Sequence, residues 1–240
     1  MPLRYLGHSA IEIYTGKQKR VLIDPWLEGN PSCPESCQHP ENVDLIVLSH
    51  GHEDHASGVV KLANRTGAKV CANWELGNLL AADGLKQEQI IFMNKGGWVE
   101  EQGIGVFLTH AFHSSSYKNN KGSVEYAGEA SGILLRLESG RIIYHAGDTA
   151  LFSDMKMIGD FYKPDIALLP IGGCFTMGIE EAAIATQWIR PRVVIPIHYN
   201  TFPSIKVNVA DFEKLASPFA QVVVLNPSET YEASKNFKKS

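Results

Sequence analysis

The sequence predicts an α+β domain over residues 1–240, with a sheet-on-sheet core covered by helices. Short apolar runs such as Leu45–Leu48 contain β-branched residues, as is typical of strands buried on both faces. Both halves of the chain share one alternation, in which strand hairpins come first and strand–helix units follow. No linker-like stretch separates the halves, and 44% hydrophobic residues are enough for a sizeable core.

The first half alternates strands with helices after an opening hairpin. Asp24-Pro25 ends the third strand, because proline cannot donate to the strand ladder. The Gly/Pro/Ser/Asn-rich loop over residues 28–42 is long enough to form a lid or pocket wall. The predicted strands are residues 3–6, 10–14, 20–23, 45–48, 69–72, 90–93 and 105–109, and the helices are 59–65 and 75–82.

The second half repeats this organisation. A polar loop is expected after residue 113 and runs through Gly122, and the basic tail over 235–240 is expected to be frayed. The predicted strands are residues 132–137, 141–145, 166–170, 193–197 and 222–225, with a helix over 179–190.

Charge and composition narrow the functional classes. The net charge of −4 and the lack of a long basic run outside the tail argue against a nucleic-acid partner. No secretory signal and no membrane-spanning apolar run is visible, so a cytoplasmic protein is expected.

The cysteines are too few for a disulfide scaffold in a chain of this length. Cys33 and Cys37, with His39, could form a small extra zinc site. Only three candidate ligands lie in that Pro-rich loop, so we favour free thiols there, as at Cys71 and Cys174.

A cluster of histidines follows the strand over residues 45–48, in the segment Ser49–His55. Similar residues follow later strands, and strand ends at one sheet edge converge even when they are distant in sequence. Imidazole nitrogen and carboxylate oxygen are good ligands for zinc and related ions. The candidate ligands are His50, His52, Asp54, His55, His113, Asp148 and His198.

This number of ligands exceeds the three or four that one zinc ion requires. We therefore expect two divalent ions that share Asp148, with zinc first and manganese or iron as alternatives. Two ions about 3.5–4 Å apart would hold a bridging hydroxide near neutral pH, and Asp54 or Asp148 could accept a proton as the intermediate collapses. Spacing does not decide between His110 and His113, and His145 is expected to pack or to support the site.

These residues resemble a known family. The segment His50-x-His52-x-Asp54-His55, with the later ligands in this order, resembles the metallo-β-lactamase superfamily. The resemblance is closer to the UPF0173 metal-dependent hydrolases, relatives of the L-ascorbate-6-phosphate lactonase group. The segments that carry it are Gly7–Ala10, Ile23–Trp26, Phe112–Ser116, Tyr144–Thr149 and Phe175–Met177.

The resemblance implies a four-layer αββα sandwich with metals in a shallow groove at one edge. It favours His113 over His110, and it implies that Asp24 orients a ligating imidazole. It leaves His8 as a substrate contact, a support for a ligand or a plain turn residue. It assigns His50, His52 and His113 to one ion, Asp54, His55 and His198 to the other, and Asp148 to both.

We expect a hydrolase that acts on a small-molecule lactone, ester or phosphodiester. Thr149 is expected to support Asp148, and Phe175 and Tyr199 are candidates for substrate binding, although such aromatic residues could equally be core. The alternatives are an RNA or DNA phosphodiesterase and a catalytically silent metal-binding module.

Overall fold

A computed structural model gives the fold of residues 1–233, so the tail predicted to be frayed lies outside the described residues. The first strands are β1 (Pro2–Gly7), β2 (Ala10–Tyr14), β3 (Arg20–Ile23), β4 (Leu45–Val47), β5 (Lys69–Asn73) and β6 (Ile90–Met93). The later strands are β7 (Trp98–Glu101), β8 (Ile104–His110), β9 (Ser116–Lys118), β10 (Val124–Tyr126), β11 (Ser131–Arg136), β12 (Ile142–His145), β13 (Ile166–Pro170), β14 (Val193–Ile197), β15 (Gln221–Val222) and β16 (Thr230–Glu232).

The helices follow strands in both halves. They are α1 (Glu53–Ala56), α2 (Val59–Thr66), α3 (Trp74–Ala82), α4 (Met155–Met157), α5 (Ile179–Ile189) and α6 (Val209–Ala216). A π-helical turn over Ile158–Tyr162 continues α4. Within residues 1–233, no helix combines the length and the apolar character needed to cross a membrane.

Two sheets form the centre of the described part of the chain. Over residues 1–233, each sheet has seven strands, in the orders β16-β1-β2-β3-β4-β5-β6 and β15-β14-β13-β12-β11-β8-β7. The run from β3 to β6 is parallel, and so is the run from β12 to β15. Strands β9 and β10 form a separate hairpin.

Apolar side chains separate the molecule into layers. Residues from both sheets, such as Ile11 and Leu168, form one cluster between the sheets. A second cluster packs α2 and α3 against the outer face of the first sheet. A third packs α5 and α6 against the outer face of the second sheet. The four-layer αββα sandwich is therefore confirmed.

The strand directions place many carboxyl ends at one edge of the sandwich. Strands β1, β3 and β4 point the same way, because two antiparallel pairings separate β1 from β3 and β4 is parallel to β3. By the same reasoning β8, β12 and β14 share one direction. The segments that follow these six strands therefore meet at one edge.

Backbone hydrogen bonds join the two sheets at this edge. The His198 amide donates to the His8 carbonyl at 2.8 Å, and the Ser131 amide donates to the Ser49 carbonyl at 3.0 Å. Gly147 fits between the sheets with a φ of +63°, and a Cβ there would lie 2.8 Å from the Ser49 Cβ. Only glycine allows this approach.

The structure differs from the predicted elements in several places. The strand predicted over 222–225 pairs with its neighbour only over Gln221–Val222. The predicted polar loop through Gly122 overlaps the β9–β10 hairpin. The second strand of this hairpin is fully exposed and so lacks the alternation that predicts a strand. The sequence analysis also does not predict α6, β7 or β16.

Candidate metal centre

The predicted metal ligands come together at the edge where the two sheets meet. His50 and His52 lie between the end of β4 and helix α1, and Asp54 and His55 lie within α1. The others follow β8, β12 and β14. Their ring nitrogens and carboxylate oxygens form two groups, one on either side of Asp148.

The first group is formed by His50, His52 and His113, whose ring nitrogens lie within 4.8 Å of one another. His50 Nε2 is 3.0 Å from His52 Nδ1. His50 is fully buried, whereas His52 and His113 are partly exposed. Three converging imidazoles can occupy three positions around one tetrahedral ion.

The second group is formed by Asp54, His55 and His198, with His8 beside them. Asp54 Oδ2 lies 3.7 Å from His198 Nε2 and 4.0 Å from His55 Nε2. The Asp54 side chain is 29% exposed, whereas the three histidines are buried. Asp54 is therefore the member of this group that faces solvent.

Asp148 contacts both groups. Its Oδ1 lies 3.2 Å from His55 Nε2, and its Oδ2 lies 3.1 Å from His198 Nε2. The same Oδ2 is 3.6 Å from His113 Nε2 and 4.0 Å from His50 Nε2. One buried carboxylate thus stands between the two sets of ring nitrogens.

Several of these atoms have no hydrogen-bond partner. His55 Nε2, His198 Nε2 and Asp148 Oδ1 are all buried and unsatisfied, despite the short distance between the first and the last. Buried polar atoms are costly without a partner, and a metal ion would satisfy all three. The donor set contains nitrogen and oxygen only, which suits zinc, manganese or iron.

The rings of the first group favour the neutral form. Burial lowers the pKa of His50 well below its usual value. Burial also lowers the pKa of His52 and of His113. Neutral imidazole is the form that binds a metal.

The second group has the opposite electrostatics. Burial lowers the pKa of His198, but the carboxylate of Asp148 outweighs it and raises the pKa to about 9. For His55, the charges of Asp148 and Asp24 likewise outweigh burial and raise the pKa well above 6.5. The buried carboxylates therefore attract positive charge, which a proton or a metal ion can supply.

Comparison with known proteins places this architecture in a family. A family model described as "Beta-lactamase superfamily domain" matches residues 19–199. A UPF0173 metal-dependent hydrolase of Methanosphaera stadtmanae is 44% identical over 96% of this chain and 99% of its own. One from Roseiflexus sp. (strain RS-1) is 41% identical over 95% of this chain and 96% of its own.

A solved structure agrees with these matches. Igni18, a metallo hydrolase from the archaeon Ignicoccus hospitalis KIN4/I, superposes with a TM-score of 0.85 at 37% identity. The match covers 97% of this chain and 99% of Igni18. The chain belongs to the UPF0173 metal-dependent hydrolases of the metallo-β-lactamase superfamily. The resemblance read from the sequence is confirmed.

In this UPF0173 protein, Asp24 lies behind the second group of ligands. Its Oδ2 is 2.9 Å from His55 Nδ1, and its two oxygens accept from the Ser49 amide at 2.7 Å and the Ser49 hydroxyl at 2.6 Å. Burial raises the pKa of Asp24, but the charge and hydrogen bond of His55 and the nearby His145 and His50 together outweigh it, so the net shift is downward. Asp24 thus holds the His55 ring with Nε2 directed at Asp148.

Thr149 supports the loops around Asp148. Its hydroxyl accepts from the Phe112 amide at 3.0 Å, and its carbonyl accepts from the Met177 amide at 2.9 Å. One buried threonine therefore anchors the segment that carries His113 and the turn that carries Phe175. We predicted that Thr149 supports Asp148, and these two hydrogen bonds are the contacts through which it would do so.

The candidates for substrate binding differ in exposure. Phe175 is 56% exposed at the tip of its turn, and Phe112 is 55% exposed next to His113. Tyr199 is partly buried and packs with the cluster on the outer face of the second sheet. His8 is fully buried against Asp54, which favours the alternative of ligand support over direct substrate contact.

Other candidates lie away from the two groups. His110 is exposed and lies 3.3 Å from the Lys95 ammonium, so the structure brings His113 to the site and not His110. His145 is buried, with its Nε2 3.0 Å from the Ser9 carbonyl and its Nδ1 accepting from Gly147. His145 thus supports the backbone next to Asp148.

The Pro-rich loop forms no metal-binding group among the described residues. Exposed His39 pairs with Glu28 at 3.1 Å, while Cys33 and Cys37 are buried free thiols. No set of three candidate ligands gathers there within residues 1–233.

The sequence analysis misses two supporting hydroxyls. Ser49 links the carboxylate of Asp24 to the ring of His50, with its Oγ 2.9 Å from His50 Nδ1. Thr201 lies 2.9 Å from His8 Nδ1. Ser49 directly precedes the histidine segment, which is a usable signal. No sequence signal marks Thr201, because only the tertiary fold brings it next to His8 in the first hairpin.

Proposed function

We propose that this protein is a metal-dependent hydrolase that binds two divalent ions, with zinc as the metal. Membership of the UPF0173 metal-dependent hydrolases supports hydrolase activity. The geometry supports two ions, because His50, His52 and His113 gather as one set of donors and Asp54, His55 and His198 as another. We assign His50, His52 and His113 to the first ion, Asp54, His55 and His198 to the second, and Asp148 to both.

The observation that carries this proposal is the position of Asp148. Its two oxygens approach ring nitrogens of both groups, and Oδ1 has no hydrogen-bond partner. When bound, two such ions supply a hydroxide nucleophile near neutral pH and Lewis acidity at the substrate oxygen.

The chain itself orients this chemistry and moves the proton. Asp24 and Ser49 hold His55 and His50 in place, so the ligands are preorganised. Asp54 is the partly exposed carboxylate of the site. We assign it as the group that accepts the proton of the attacking hydroxyl as the intermediate collapses and passes it to the leaving-group oxygen.

For the substrate, we propose a small-molecule lactone, ester or phosphodiester. Phe175 is a large exposed aromatic residue on a turn anchored at Thr149, so it offers an apolar surface near the segment that carries Asp148. The net charge of −4 does not favour the phosphate backbone of a nucleic acid.

The test is a panel of chromogenic esters, lactones and phosphodiesters with metal-loaded and chelator-treated protein. We expect turnover that requires metal and that falls at least about 100-fold in Asp148→Asn. Asp160→Asn is the matched control, because Asp160 is exposed and pairs with Arg190 at the surface.

Two outcomes would contradict the proposal. Metal-loaded protein that turns over none of these compounds would support the silent metal-binding module. Cleavage of RNA alone, with steep salt dependence, would support a nuclease.

A further inference from the structure

His8 lies in the tight turn between β1 and β2. Its φ is +57°, a left-handed conformation that glycine and asparagine adopt more readily. Its side chain is nevertheless fully buried at the metal centre. Since a turn alone does not require a buried imidazole, the ring at this position calls for another explanation.

The His8 ring connects a predicted ligand to a neighbouring loop. Its Nε2 lies 3.1 Å from Asp54 Oδ2, the oxygen that faces His198 and His55. Its Nδ1 lies 2.9 Å from Thr201 Oγ1. The ring is therefore held at both nitrogens.

The His8 backbone also contacts a predicted ligand. Its carbonyl accepts from the His198 amide at 2.8 Å and from the Tyr5 hydroxyl at 3.1 Å. One residue of the first hairpin thus contacts two members of the second group, Asp54 through its side chain and His198 through its backbone.

Aromatic rings shield these contacts from water. The rings of Trp26 and Phe202 lie 5.4 and 5.6 Å from the His8 ring, and they stack on each other at 5.9 Å. A hydrogen bond in such low-dielectric surroundings is stronger than one in water. Trp26 and Phe202 therefore strengthen the hydrogen bond between His8 and Asp54.

The hydrogen-bonding pattern distinguishes His8 from the two histidines of the second group. His55 Nε2 and His198 Nε2 are buried without a partner, as atoms that await an ion would be. Both ring nitrogens of His8 have partners. This difference favours a hydrogen-bond donor over a metal ligand.

We propose that His8 is a positioning residue for the second metal ion, donating from Nε2 to the Asp54 carboxylate and fixing the backbone of His198. The proposal rests on the two-ion function proposed above. It predicts that loss of the ring weakens one ion and leaves the other bound.

The test is zinc titration of the metal-free full-length protein against a chromogenic chelator, with metal content measured after gel filtration. In His8→Ala we expect one of the two dissociation constants to rise about 10–100-fold. The other dissociation constant should stay within about threefold. His8→Gln should retain most of the affinity, because the Gln amide can donate to Asp54.

His39→Ala is the matched control, since His39 is an exposed histidine paired with Glu28. Wild-type affinity for both ions in His8→Ala would overturn the proposal. Equal loss in His8→Gln and His8→Ala would also overturn it, because that result would make the ring itself a ligand.

If His8→Ala does not fold, a second variant tests the proposal. Thr201→Val removes the partner of Nδ1 and keeps the ring, so we expect weaker binding of the same ion. Unchanged binding in Thr201→Val would contradict the proposal. A wild-type protein that binds only one ion would instead refute the two-ion function.

Discussion

The backbone is left-handed at three residues of the metal centre. His8, Asp24 and His198 have φ values of +57°, +45° and +53°. Each such conformation costs on the order of 1–3 kcal/mol, and surrounding contacts must hold it in place. Two sets of hydrogen bonds are contacts of this kind. The His198 amide donates to the His8 carbonyl, and Asp24 accepts three hydrogen bonds.

The raised pKa of His198 predicts how metal binding depends on pH. In the metal-free protein this pKa is about 9, against 6.5 for an unperturbed histidine. The proton on His198 therefore adds to the free energy of unfolding of the metal-free protein. This contribution is complete below about pH 6.5 and is lost as the pH rises through about 9. A bound ion replaces the proton and does not lose its contribution in this range.

We therefore expect the gap in thermal midpoint between zinc-loaded and metal-free protein to widen from pH 6.5 to pH 9. Calorimetry of the two forms at matched protein concentration measures this gap. A gap that stays constant or narrows would show that His198 does not exchange a proton for the ion.

At the scale of single elements, the short turn over residues 173–177 presents Phe175 to solvent. The Met177 amide donates to the Thr149 carbonyl, and the Gly173 amide donates to the Met177 carbonyl at 3.0 Å. Cys174 has a left-handed φ of +37° within this turn. An anchored turn that exposes an aromatic side chain suits the binding of an apolar substrate group.

We expect Phe175→Ala to raise KM about tenfold for esters with an aryl or long acyl group, because about 1.4 kcal/mol of apolar contact is lost. The KM for acetyl esters and all kcat values should change little. Steady-state kinetics on the paired substrates measures the difference. Phe161→Ala is the control, as Phe161 is 78% exposed and lies outside the two ligand groups. Equal effects on both substrate types would contradict a binding role for Phe175.

The elements were predictable where apolar patterns are strong. The buried strands β4, β13 and β14 follow directly from their short, continuous apolar runs, and α5 follows from its apolar face. The exposed β10 carries no such pattern, and β15 is shorter than the apolar run that predicts it. They form because neighbouring backbone is in position to pair with them.

At the scale of the whole molecule, the site depends on two sheets whose strands point the same way at one shared edge. The residue types and their place after strands were enough to propose the candidate ligands, but only the family resemblance chose His113 over His110. The direction of β1 and the contact between His8 and Asp54 were not predictable, because they join residues 46 positions apart through the tertiary fold. The hydroxyls of Ser49 and Thr201 gain their roles in the same way.

Crystals of the zinc-loaded protein, with anomalous diffraction recorded at the zinc edge, test the central claim most directly. We predict two anomalous peaks per chain about 3.5–4 Å apart, with one oxygen or both oxygens of Asp148 between them. A single peak, or two peaks with Asp148 turned away from either of them, would contradict the account.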